Sequence, residues 1–270
     1  MSRVPLRVAL GLALLGGGCA TVPKDPDARA AFSEANDPLE PLNRKVFGFN
    51  LFVDRILIKP VAQGYARALP RLARESIRNF VSNLNEPVVF ANNVLQGQFR
   101  RAETTAGRFA LDSTLGLAGL IDFASPRGMR KQTGDFGQTL FVWGVPEGPY
   151  LILPVLGPSN PRDTVGLGVD AYLSPYRFVV EDNDSPTLIA YGPAILGGID
   201  ERSRSIDELD AIEKEALDYY ASLRSLFRQN RAAQLKGGDA APTLGQDSFY
   251  EDPGVSPAEK GSTGADRLSR

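Results

Sequence analysis

From Asn36 to Gly238 apolar residues recur mostly at helical spacing, and the pattern predicts a mainly α body. In "NDPLEPLNRKVFGFNLFVDRILIKP", Val46, Phe49, Val53 and Ile56 form a stripe that Phe47, Phe52 and Leu57 widen. Asn43, Asn50 and Asp54 recur at intervals of seven and four on a narrow opposite face. Asp37 is placed as the cap, with Pro38 at the first helical position and Glu40 in capping-box register; Pro60 is expected to close the helix near Ile58. This helix is almost too greasy for a surface that faces water.

"PRLARESIRNFVSNLNEP" carries Ala73, Ile77, Phe80 and Leu84 on one face and is expected to end at Pro87. "VVFANNVLQGQ" and "FRRAETTAGRFALDSTLG" read as two more helices parted near Gly97, while "GLAGLIDFA" fits no single state. From Gly134 to Gly168, seven glycines and five prolines interrupt "QTLFVWGV" and "YLILPVL". Helices are not expected to persist there, which leaves short strands, a hairpin or an ordered loop. In an extended segment Tyr150 and Ile152 face one way and Leu151 and Leu153 the other. Apolar residues on both faces imply burial on both sides, against protein or lipid tails. "DTVGLGVDAYLSPYRFV" predicts a short helix. The clearest helix runs from Ser205, boxed with Glu208, to a stop at Gly237. Its stripe, Leu209, Ile212, Ala216, Tyr220, Leu223 and Phe227, would be ~27 Å long at the helical rise. Beyond residue 238 the chain is polar and rich in Gly, Pro, Ser and Asp, as disordered tails are.

The ends of the chain change the setting. Arg3 and Arg7 followed by Val8–Leu15 have the layout of a secretory signal over residues 1–18. Cys19, the one cysteine, stands where a bacterial lipoprotein is acylated, although Gly16 rather than Leu lies three positions before it. An ordinary signal with a chance cysteine is the alternative. Residues 20–35 are small, polar and proline-bearing, as a tether would be. Removing residues 1–18 takes two of the 30 basic residues and none of the 32 acidic ones, leaving a net charge of −4. No clustered basic surface points to nucleic acid. The longest uncharged run after residue 18, Ser185–Ile199, has fifteen residues and two prolines, too short and too broken to span a bilayer.

The chain has no histidine. Ser-His and Cys-His catalysis and histidine metal sites are thereby excluded, and no catalytic residue, metal or cofactor is assigned. Chemistry on carboxylates or a Ser-Lys dyad using Lys59 or Lys131 stays open.

"NDPLEPLNRKVFGFN", "NFVSNLNEPVVFANNVLQGQ", "GRFALDSTLGLAGLIDFA" and "GDFGQTLFVWGVPEGPYLILPVLGPSNPRD" together resemble the MlaA/VacJ lipoprotein family over residues 36–238. The resemblance implies a ring-like bundle of amphipathic helices, lipid-anchored in the inner leaflet of a Gram-negative outer membrane and facing the periplasm, with a polar passage through it. It implies a role in lipid asymmetry: association with a trimeric porin, removal of mislocalised phospholipid from the outer leaflet, and delivery to a soluble periplasmic carrier. A structural porin-associated lipoprotein and a histidine-free lipid hydrolase are the rival readings. A headgroup crossing the ring needs polar groups in place of water. The candidates are Asn43, Arg44, Asn50, Asp54, Gln138, Thr139, Arg162 and Asp163. Asn50 and Asp54 could instead bridge helices, Arg162 and Asp163 could bond loop carbonyls, and Asp135 and Gln138 could fix a turn. Phe47, Phe52, Trp143, Tyr150, Leu151, Ile152 and Leu153 are the candidates for membrane contact, with Trp143 equally suited to a core.

Overall fold

The structure, a computed structural model, describes residues 22–25, 29, 32, 35–175 and 186–236, without the side chains of 186–190. The signal, Cys19, most of the tether and the tail lie outside these residues. The body is mainly helical. Helix α1 (Glu40–Val53) does not stop at its proline; a π-helical turn, Asp54–Ile58, joins it to α2 (Lys59–Ala68), with Pro60 in the first turn of α2. Pro is tolerated there because the first N–H groups of a helix have no partner to lose. Nor does Asp37 cap α1, which begins at Glu40: its buried carboxylate is bonded instead by Asn43, Tyr220 and Arg224.

Helix α3 (Arg71–Leu95) takes Pro87 into its interior and absorbs the helix expected after it. Buried Asn83, Glu86, Val88, Val89, Asn92 and Asn93 flank the proline, and the helix packs along α4 (Phe99–Thr114). These contacts outweigh the local bond that proline forfeits. Gly97, at φ +72°, turns the chain between α3 and α4. The segment rich in glycine and proline does hold helix: α5 (Phe136–Val142), whose N-cap Asp135 accepts from the Gln138 N–H, and the start of another at Pro161. A hairpin follows, β1 (Leu151–Leu153) against β2 (Gly157–Ser159), with Leu151 opposite Ser159 and Leu153 opposite Gly157. Then come α6 (Pro161–Leu173) and α7 (Pro186–Arg204).

The expected long final helix is two: α8 (Ile206–Glu215) and α9 (Tyr219–Leu235). Ser205 forms no box; its hydroxyl bonds back to the Glu201 carbonyl. The chain extends at Ala216, and Asp218 caps α9 through the Ala221 N–H while also holding Arg44. That second cap divides the apolar stripe.

The polarity of the interior is inverted. Among the described residues eight hydrophobic ones are buried against eighteen polar or charged ones, while Phe49, Phe52, Ile56, Leu57, Leu72, Phe99, Trp143 and Leu156 are among many large apolar side chains left exposed. In a water-soluble domain a buried polar residue and a broad exposed apolar surface are each unusual. Among the described residues no helix is long and apolar enough to cross a membrane.

An apolar cluster of Tyr150, Ile152 and Tyr220, with Val46, Phe47 and Phe227 against it, lies where α1, β1 and α9 meet. Tyr150 and Ile152 are therefore buried rather than turned to lipid, and Phe47 is half-buried against them. The Tyr150 hydroxyl is buried without a partner. Tyr150→Phe is expected to raise stability by about 1 kcal/mol, because it removes an unmet polar group and keeps the ring; thermal melting checks this.

Candidate functional site

Asn43 and Asn50 serve the hairpin. The Asn43 amide donates to the Tyr150 carbonyl at 3.0 Å and accepts from the Ile152 N–H at 3.0 Å. Seven residues on, the Asn50 amide donates to the Leu153 carbonyl at 2.9 Å and accepts from the Val155 N–H at 2.8 Å. Two turns of α1 thus supply the hydrogen bonds a third strand would have made. Asp54 holds Arg202 of α7 through two 2.8 Å bonds, and Arg44 bridges Glu40 and Asp218. Thr139, fully buried, donates to the Asn92 side chain and accepts from Gln96.

Arg162 and Asp163 belong to a buried charge network. Arg231 of α9 donates to both Asp163 oxygens at 2.8 and 2.9 Å and to both Asp135 oxygens at 2.8 Å. Gly137 makes this possible, since a Cβ there would lie 2.4 Å from Asp163 Oδ1 and 2.7 Å from Arg231 Nη2. Seven of the eight expected passage residues thus have structural partners and lie outside the wall of the cavity that the eighth lines.

The eighth, Gln138, does line one. A cavity of about 500 Å³ lies between α3, the 131–135 loop, the start of α5, α7 and the end of α9. Helix α3 contributes Arg78, Ser82, Asn85 and Glu86, and α7 contributes Ala194, Gly197, Asp200, Glu201 and Arg204. Each set recurs at three and four, one face of a helix. That recurrence is visible in the sequence, but the apolar stripes drew attention to the other faces.

Arg78 lies 3.4 Å from Asp200, and Arg204 pairs with Asp200 and Glu201. Glu86, 3% exposed, faces Arg108 at 3.5 Å through one oxygen, and its other oxygen has no hydrogen-bond partner. Burial raises the Glu86 carboxyl above its ordinary range despite Arg108 and Lys131, and burial likewise raises Glu201. The Lys131 side chain is exposed; desolvation by the surrounding protein lowers its ammonium, with Glu86 pulling the other way. The cavity wall carries charges of both signs beside apolar residues such as Ile77, Val81 and Val89, and no aromatic ring.

A profile of the MlaA lipoprotein family matches residues 35–234, most of the chain. The chain belongs to the MlaA lipoprotein family. It is 33% identical, over 87% of its length and 90% of the relative's, to the "Intermembrane phospholipid transport system lipoprotein MlaA" of Escherichia coli. The Haemophilus influenzae protein of that name is 32% identical over 93% of this chain and 98% of its own. A solved structure, described as the "structural basis for maintenance of bacterial outer membrane lipid asymmetry", superposes with a TM-score of 0.65 at 32% identity, covering 74% of this chain and 98% of that one.

In this MlaA-family body the expected membrane residues divide. Phe52 and Trp143 are exposed, Trp143 with its indole N–H on the Leu95 carbonyl at 3.3 Å; Leu151 and Leu153 are half-buried. The charge network makes MlaA-family stability sensitive to acid. Burial pushes the Asp163 carboxyl up, but the bonds and charge of Arg231 and Arg162 outweigh it and hold it below the usual range. A carboxyl lowered on folding contributes stability above its unfolded pKa of about 3.9 and loses it as pH falls through the folded value. The melting temperature of the natural chain is expected to exceed that of Asp163→Asn at neutral pH, and the gap to close below about pH 4.

Proposed function

We propose that this protein is an outer-membrane lipoprotein, anchored through Cys19 in the inner leaflet, that accepts mislocalised phospholipid from the outer leaflet. It passes the lipid to a soluble periplasmic carrier and so maintains lipid asymmetry. A trimeric porin is its membrane partner in this reading. The observation that carries the proposal is the inverted polarity: many large apolar side chains exposed, no crossing helix among the described residues, and a charged cavity inside. Such a body sits stably in one monolayer because its rim contacts acyl chains, while a headgroup inside exchanges water for fixed polar groups. The names of the relatives agree with it.

No covalent chemistry is needed, and the protein supplies no driving force; a polar passage lowers the barrier in both directions. The test is removal of the gene followed by measurement of phospholipid in the outer leaflet and of detergent sensitivity. Both are expected to rise and to return to normal with the gene restored. A pure scaffold leaves surface phospholipid unchanged, and a hydrolase releases fatty acid from vesicles. Either result would replace this reading.

A further inference from the structure

We propose that the cavity selects phospholipid by headgroup, with Lys131 taking the phosphate and the free oxygen of Glu86 taking a primary ammonium, so that ethanolamine-type lipid is preferred over glycerol-type anionic lipid. This deepens the transport reading and rests on it.

Most of the charges in the wall are already engaged. Asp135 is held by Arg231, and Asp200 and Glu201 by Arg204, with Arg78 beside Asp200. Lys131 makes no ion pair within 4 Å among the described residues, although it faces the space that Glu86, Asp135 and Glu201 also line. Glu86 spends one oxygen on Arg108; the other is buried and unbonded. A buried carboxylate oxygen without a donor is costly, while Lys131, exposed and in no ion pair, is open to an anion. One ligand that brings an anion and an N–H cation on a short linker meets both.

Cations (Arg78, Lys131, Arg204) and acids (Glu86, Asp135, Asp200, Glu201) both line the cavity, which suits a headgroup that carries both signs. A glycerol headgroup offers Glu86 only neutral hydroxyls. A choline headgroup offers no N–H, and the wall has no aromatic ring to receive a quaternary ammonium. A primary ammonium offers a charge-assisted bond.

The test uses the full lipidated protein in vesicles containing phosphatidylethanolamine and phosphatidylglycerol in equal amounts, with retained lipid read by native mass spectrometry. The natural protein is expected to retain the ethanolamine lipid over the glycerol lipid by roughly tenfold, the worth of one charge-assisted bond. Glu86→Gln should bring the ratio close to one. Lys131→Met should reduce retention of both lipids and keep the preference, and Lys131→Arg should restore retention. Because Glu86 also holds Arg108, its variant is compared by thermal melting; if it does not fold, the lysine variants and the natural ratio decide. Retention without preference, or Lys131→Met with unchanged retention, overturns the headgroup assignment alone. No retained lipid of either class, together with unchanged surface phospholipid after gene removal, overturns the transport reading beneath it.

Discussion

Ser82→Trp combined with Ala194→Trp is expected to reproduce the phenotype of gene removal while leaving the protein folded. Both residues line the cavity from opposite helices, α3 and α7. Two indoles projected from these faces would occupy the space a headgroup needs and replace polar wall with apolar surface. Neither substitution removes a bond of the charge network, so the melting temperature should stay near that of the natural chain, a change within about 1 kcal/mol. Surface phospholipid and detergent sensitivity should rise to the level of the deletion. Normal lipid asymmetry with both tryptophans in place would mean that lipid travels elsewhere on the molecule.

The largest loss of stability is expected from Arg231→Met. Arg231 is nearly enclosed and joins Asp135, the cap of α5, to Asp163, in the first turn of α6. Removing the cation leaves two carboxylates facing each other with only Arg162 at hand, a loss of about 3–5 kcal/mol by the usual cost of breaking a buried pair. For a body of this size that lowers the melting temperature by roughly 10 °C. Arg231→Lys should recover little of it, because an ammonium cannot hold two carboxylates edge-on as a guanidinium does. A melt unchanged by Arg231→Met would show that α5, α6 and α9 are held together by other contacts.

Where amphipathic helices lie was legible from periodicity: α1, the first part of α3, α4 and α6 stand where the apolar pattern puts them. Proline is a weaker stop here than its local chemistry implies. Pro60 and Pro87 mark no ends, because a π turn and the packing of α3 on α4 decide what a local rule cannot see. The site was harder. Asn43 and Asn50 were rightly singled out as polar residues on a greasy helix, but only the fold shows that they are spent on the hairpin backbone. The cavity wall escaped notice because Arg78, Ser82, Glu86, Asp200 and Glu201 look like an ordinary solvated face. Sequence spacing records that residues share a face; it does not record whether the face meets bulk water or another helix across a gap. Lys131, alone in a loop, left no periodic trace at all.

The inverted polarity also changes what unfolding can look like. The heat capacity gained when a chain unfolds comes chiefly from apolar surface newly met by water, while polar surface newly met subtracts from it. Here much of the apolar surface is already outside and much of what would emerge is polar. Melted in water, this body should absorb heat with a shallower dependence on temperature than a soluble domain of equal length, and its stability curve should be correspondingly flat.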